Sequence, residues 1–187
     1  GSYYAGTGNV KFYLQDDTAG LQVQVFEGQG DVSVKIGSHV RVRGNVSIYR
    51  GSTQIVPILV PDDVTRLEPP ELVPLTPLPV TIQEASSDLD TLPGMLVQVQ
   101  GLVTRVEEFT YSYELDLADQ EDPSQQLTLY VDKQTNIQVE QIEIGEQYIA
   151  AGILDIRDTS HLLYPRIQSD LQRIYPPTPS LEVEAPP

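Results

Sequence analysis

The chain has no cysteine and no tryptophan, and only three lysines and two histidines among 187 residues. Without cysteine there are no disulfides, no thiolate metal sites and no cysteine nucleophile. No apolar run approaches the roughly 18–20 residues that cross a bilayer as a helix, so membrane insertion is not expected. Basic side chains are scarce, 11 against 27 acidic ones, for a formal net charge of −16. Such a surface repels phosphate, so any nucleic-acid site has to be local. The two histidines, His39 and His161, join no His-x-x-x-His, Ser/His/Asp or glycine-rich phosphate pattern. No enzymatic activity and no cofactor are expected. Few lysines beside many uncharged polar residues is a common secreted-surface composition, which predicts an extracellular or cell-surface protein.

What is present is alternation of period two, the signature of half-buried strands. Leu21, Val23 and Val25 alternate with Gln22 and Gln24; Val40 and Val42 with Arg41 and Arg43; Leu127, Leu129 and Val131 with Thr128 and Tyr130. Residues 96–106 read as one long strand with Gly101 near its middle. Turn chemistry separates these runs at 16–20, 50–52 and 121–124. Only short helical turns are expected, near 82–89 and 135–141. The chain reads as all-β.

Two segments repeat each other without a gap. Ile36-Gly37-x-x-Val40-x-Val42-x-Gly44-x-Val46-x-Ile48 returns as Ile144-Gly145-x-x-Tyr148-x-Ala150-x-Gly152-x-Leu154-x-Ile156. Upstream, Phe12 to Asp16 corresponds to Leu115 to Asp119. Between the copies, residues 68–80 carry five prolines, which predicts an extended connector and limited contact between the repeats. The expected organisation is a first unit over 1–67, the linker 68–80, a second unit over 81–176 and an extended tail over 177–187. The pairs Leu21/Leu127, Val23/Leu129, Val42/Ala150 and Ile48/Ile156 are expected to face the two cores. The second copy has a strand (96–106) ahead of its repeat that the first copy does not show.

A strand ending in Phe12-Tyr13-Leu14-Gln15-Asp16 precedes Val32-x-Val34-x-Ile36-Gly37-x-x-Val40-x-Val42-x-Gly44-x-Val46 and a Gln54-Ile55-x-Pro57 strand. This pattern resembles the bacterial OB-fold domains of secreted nucleases and phosphatases. The resemblance implies two tandem OB-fold-like five-stranded Greek-key barrels, the first lacking its own first strand. In those nucleases the catalytic machinery lies in a separate domain.

Two functions follow as expectations. In the first, the protein is a non-enzymatic self-assembling subunit. The tail residues Leu181, Glu182, Val183 and Glu184 would fill the open first barrel of the next copy, building a head-to-tail homopolymer. The alternative is a single-stranded nucleic-acid-binding module at barrel 1, using Lys11, Tyr13, Arg41, Arg43 and Arg50. Charge favours that barrel, because residues 1–67 balance six basic against six acidic groups. The second barrel is expected to be the poorer site, because Asp116 stands where the first has Tyr13. The carboxylates Asp116, Asp119, Glu121 and Asp122 are a weak calcium candidate by composition, although their spacing is not that of an EF-hand loop.

Overall fold

Alternating side chains become strands in both halves of the computed structural model, which describes residues 2–3, 8–32, 34–60, 62–67 and 72–175. The first half contains β1 (Ser2–Tyr3), β2 (Val10–Gln15), β3 (Gly20–Val25), β4 (Val40–Val42), β5 (Asn45–Tyr49), β6 (Ser52–Val56) and β7 (Val64–Arg66). The connector ends in β8 (Leu78–Pro79). Then follow the helix α1 (Ile82–Ser87), β9 (Leu96–Glu108), β10 (Ser112–Ala118), β11 (Gln126–Asp132), β12 (Gln147–Arg157), β13 (Ser160–Tyr164) and β14 (Leu171–Ile174). Two single 3-10 turns lie at Lys133–Thr135 and Gln168–Asp170.

The halves reuse the same pairing registers. Val23 lies opposite Ile55 in a parallel ladder, and their repeat counterparts Leu129 and Leu163 do likewise. Val46 pairs with Ile55 as Leu154 pairs with Leu163. The repeat glycines have one explanation in common. A Cβ on Gly44 would strike the Val56 carbonyl, and one on Gly152 would lie 2.6 Å from the Tyr164 carbonyl oxygen. At both sites the neighbouring backbone comes too close for a side chain.

The expectation of two tandem five-stranded barrels is nevertheless overturned. The first half is divided between a five-stranded sheet, ordered β1-β2-β3-β6-β5, and a separate two-stranded ribbon of β4 and β7. The second half is a seven-stranded sheet, ordered β14-β12-β13-β11-β10-β9-β8, in which β12 also pairs with β9. The protein is mostly β, and the short helical turn expected near 82–89 forms as α1. Thr81 and Glu84 cap α1 reciprocally, and its Ile82 and Ala85 are buried in the second core.

The reason lies in strand continuity. β12 runs unbroken for eleven residues, while its repeat counterpart splits into β4 and β5 at Arg43–Gly44. β9 is long enough to serve two ladders, pairing with β12 through Leu96–Leu102 and with β10 through Leu102–Glu108. It changes partner beside Gly101, where Ile82 of α1 packs against it. In the first half, the two-residue β1 pairs with β2 and no described strand pairs with β4 except β7.

Burial follows from this. Val23, Leu127, Leu129 and Ala150 are buried as expected; Leu21, Val42 and Ile156 are partly so. Ile48 is 74 % exposed, against the expectation that it faces a core. It lies with Val46 on one face of β5, the outer strand of its sheet, where no described residue covers the pair. Two separate cores result, one around Phe12, Val23, Val25, Val60 and Val64, and a larger one built on β9–β13 and α1.

The connector keeps to the sheet edge: β8 pairs in parallel with Val97 and Gln98 as the last strand of its sheet. Contact between the halves is more extensive than the proline-rich linker suggests. Gln15 Oε1 accepts a hydrogen bond from Leu96 N at 2.8 Å, and Asp158 N donates to the Arg50 carbonyl at 2.5 Å. Gly20 and Gly94 meet backbone to backbone, with no room for a Cβ on either.

Candidate nucleic-acid interface

A cleft of about 1310 Å³ runs between the halves. In β2, Phe12 turns into the first core, so alternation turns Lys11 and Tyr13 outward, into the cleft. In β11, Leu129 and Val131 turn into the second core and Tyr130 turns out. β13 ends in Tyr164 and β12 in Arg157, both on the same cleft wall. The second half thus supplies the wall that faces β2.

These five side chains form one cluster of rings and cations. The Tyr130 and Tyr164 rings are 5.4 Å apart between centroids, tilted by 46°. The Arg157 guanidinium sits 5.4 Å from the Tyr130 centroid. The Lys11 ammonium lies 5.1 Å from the Tyr164 centroid and 5.3 Å from that of Tyr13, bridging the two halves. At such distances each cation is attracted to the ring quadrupole.

Asp155, Ser52 and Gln22 give the cleft a polar, buried floor. Asp155 is 4 % exposed; it accepts from Tyr13 Oη, from Ser52 Oγ at 2.6 Å and from Ile156 N at 2.8 Å. Gln22 Nε2 donates to Gln54 Oε1 at 2.7 Å, and Gln54 Nε2 to Ser47 Oγ at 3.2 Å. Among the described residues no buried side-chain nitrogen or oxygen lacks a partner.

Burial pushes the Lys11 ammonium below its ordinary pKa; the charge of Asp155 pulls it back up, Arg157 pushes it down, and Asp132 pulls it up. The sign for stability follows from the net depression. Between the folded pKa and the higher unfolded one, the unfolded chain binds more protons, so this group adds stability as pH rises. Lys11→Met is expected to remove that alkaline gain, read as a flatter dependence of melting temperature on pH on the alkaline side. An unchanged profile would show that Lys11 is not the group responsible.

Of the residues singled out by sequence, Lys11, Tyr13 and Arg50 line this cleft. Arg50 is engaged by Asp158 of the other half. Arg41 and Arg43 lie elsewhere, around a hollow of about 210 Å³ shared with Asp62, Asp63 and Thr65. Leu181, Glu182, Val183 and Glu184 lie outside the described residues. The acidic candidates are engaged in other contacts. Asp116 accepts from Arg105 Nε at 2.6 Å and Thr128 Oγ1 at 2.7 Å. Burial alone would raise its pKa, but these bonds outweigh it and hold the carboxyl below the usual range. Asp119 accepts from the Glu121 and Asp122 amides, and Asp122 from Ser124, closing the turn. Among the described residues no three His, Cys, Asp or Glu side chains are grouped as metal ligands.

Sequence reading missed Tyr130, Arg157 and Tyr164. Aligning the repeats sets Asp116 against Tyr13, which hides that the second half contributes through β11, β12 and β13 instead. The outward phase of Tyr130 between Leu129 and Val131 was the one available signal.

No protein-family profile matches the chain. Among solved structures it superposes loosely on the p204 HINb domain (TM-score 0.38, 15 % identity, 88 % of this chain and 84 % of that one). It superposes equally loosely on a deletion mutant of the single-stranded DNA binding protein from Thermus aquaticus (TM-score 0.39, 14 % identity, 93 % and 83 %). In sequence it is 26 % identical over 183 residues to Endonuclease YhcR of Bacillus subtilis (strain 168), a match that takes in 96 % of this chain and spans only 15 % of that protein's length.

Proposed function

We propose that this chain is a non-catalytic module that binds single-stranded nucleic acid, of the kind carried beside the catalytic domain of a nuclease. The observation that carries the reading is the Lys11–Tyr13–Tyr130–Arg157–Tyr164 cluster in the cleft. Tyrosine faces accept unpaired bases whatever their sequence, and interleaved cations meet the phosphates. A cleft between sheets admits a single strand and its splayed bases, and a local site of this kind tolerates the strongly acidic remainder of the chain. The likeness to a stretch of an endonuclease supports a role next to phosphodiester chemistry. The low lysine content supports an extracellular or cell-surface setting, and the two cores support two repeat units joined by the 68–80 linker. The ring and cation cluster of the cleft favours this reading over self-assembly through the tail at 177–187.

Fluorescence anisotropy with a labelled oligothymidine at low ionic strength tests this. Two cation–phosphate contacts predict that log K falls with log salt at a slope of roughly −1.4. No binding at low salt would remove the proposal.

A further inference from the structure

We propose that Asp155 is the positioning residue of this cleft, holding an aromatic ring of one half and the neighbouring cation in register with the wall of the other. The inference rests on the nucleic-acid reading and adds to it a residue that touches no ligand. Asp155 belongs to β12 of the second half, yet two of its three hydrogen bonds come from the first half, from Tyr13 Oη and Ser52 Oγ. A carboxylate this buried is costly unless it is hydrogen-bonded and faces a positive charge. Here it has both, since its charge also acts on Lys11. Tyr13 and Lys11 are the two first-half members of the cluster, and Lys11 stacks across to Tyr164. The repeat counterpart of Asp155 is Ser47, which accepts a hydrogen bond within its own half from Gln54. The carboxylate is therefore peculiar to the second copy, where it meets the Tyr13 hydroxyl.

Its removal has a signature that a loss of phosphate contacts does not share. Asp155→Asn keeps the shape and removes the charge. It is expected to weaken oligothymidine binding about tenfold, the usual order for a hydrogen bond to a charged group. Because Lys11 and Arg157 remain, the salt slope stays at the wild-type value. The Lys11 ammonium, followed by NMR through its Cε methylene, is expected to titrate at lower pH in Asp155→Asn than in the wild type. Tyr13→Phe, which keeps the ring and loses the hydroxyl, provides a second and milder variant. Joined with Asp155→Asn it should weaken binding by less than the sum of the two single losses, because the two residues share the Tyr13 Oη–Asp155 bond. Wild-type affinity in Asp155→Asn, additive losses in the double variant, or an unmoved Lys11 titration would each overturn the assignment. A wild-type chain that ignores the oligonucleotide overturns the nucleic-acid reading instead, and the Lys11 titration then decides alone whether Asp155 governs that ammonium.

Discussion

Replacing Tyr130 and Tyr164 together by alanine is expected to weaken oligonucleotide binding by roughly a hundredfold or more, at about 1–3 kcal/mol for each stacked base. Both side chains are only partly buried and point away from the core that Leu129 and Leu163 fill, so the fold should survive their loss. An unchanged far-ultraviolet circular dichroism spectrum verifies this. The salt slope should not move, because no cation is removed. Lys11→Ala/Arg157→Ala should do the reverse, flattening the slope by about 1.4 while leaving the stacking rings in place. The two experiments thus separate bases from phosphates. An affinity within threefold of wild type after the tyrosine double substitution would mean that bases do not stack there. Arg41→Ala/Arg43→Ala is the natural control, since that pair lies around a different hollow.

Leu129→Ala should destabilise the protein by about 2–5 kcal/mol, while Ile48→Ala should stay within about 0.5 kcal/mol. The two residues look alike in sequence, each an aliphatic residue in an alternating run. Leu129 is 1 % exposed between β10 and β13 and is part of the larger core, so truncation leaves a cavity that a closely packed interior cannot close. Ile48 sits on an outer strand, already in water. Chemical denaturation of both variants makes the comparison. A loss at Ile48 equal to that at Leu129 would show that β5 is covered in solution.

That contrast marks how far local pattern reaches. Period-two alternation located the strands, and the gap-free repeat set Val23 against Leu129; the structure adds what neither pattern stated, that both take the same place in a parallel ladder, opposite Ile55 and Leu163. What alternation cannot express is which strand finds a neighbour. Val46 and Ile48 carry the same signal as Leu154 and Ile156, but β12 has β9 beside it and β5 has no such partner among the described strands. The barrel expectation failed for that reason. The cleft was half legible. Lys11 and Tyr13 could be placed on an outward face from their own strand, whereas the opposite wall depends on how the halves dock, which is set by contacts far apart in sequence. Buried Asp155 gave no warning at all, since an acidic residue in an alternating run reads as solvated.

The unequal cores have a consequence for how the cleft responds to its occupant. Among the described residues the first half buries a cluster of five apolar side chains, and the second a cluster of nineteen. A unit with so little packed interior opens locally at lower free energy than its neighbour. When it opens, Lys11 and Tyr13 leave the cleft, while Tyr130, Arg157 and Tyr164 stay on the better-packed half. A strand gripped from both sides binds only the docked arrangement, so occupancy stabilises docking by mass action and docking raises affinity in equal measure. If the proposed strand binding holds, the weaker half is the part stiffened by its load, and capture is expected as slower hydrogen exchange in β2 and β3 with little change in β9 to β13.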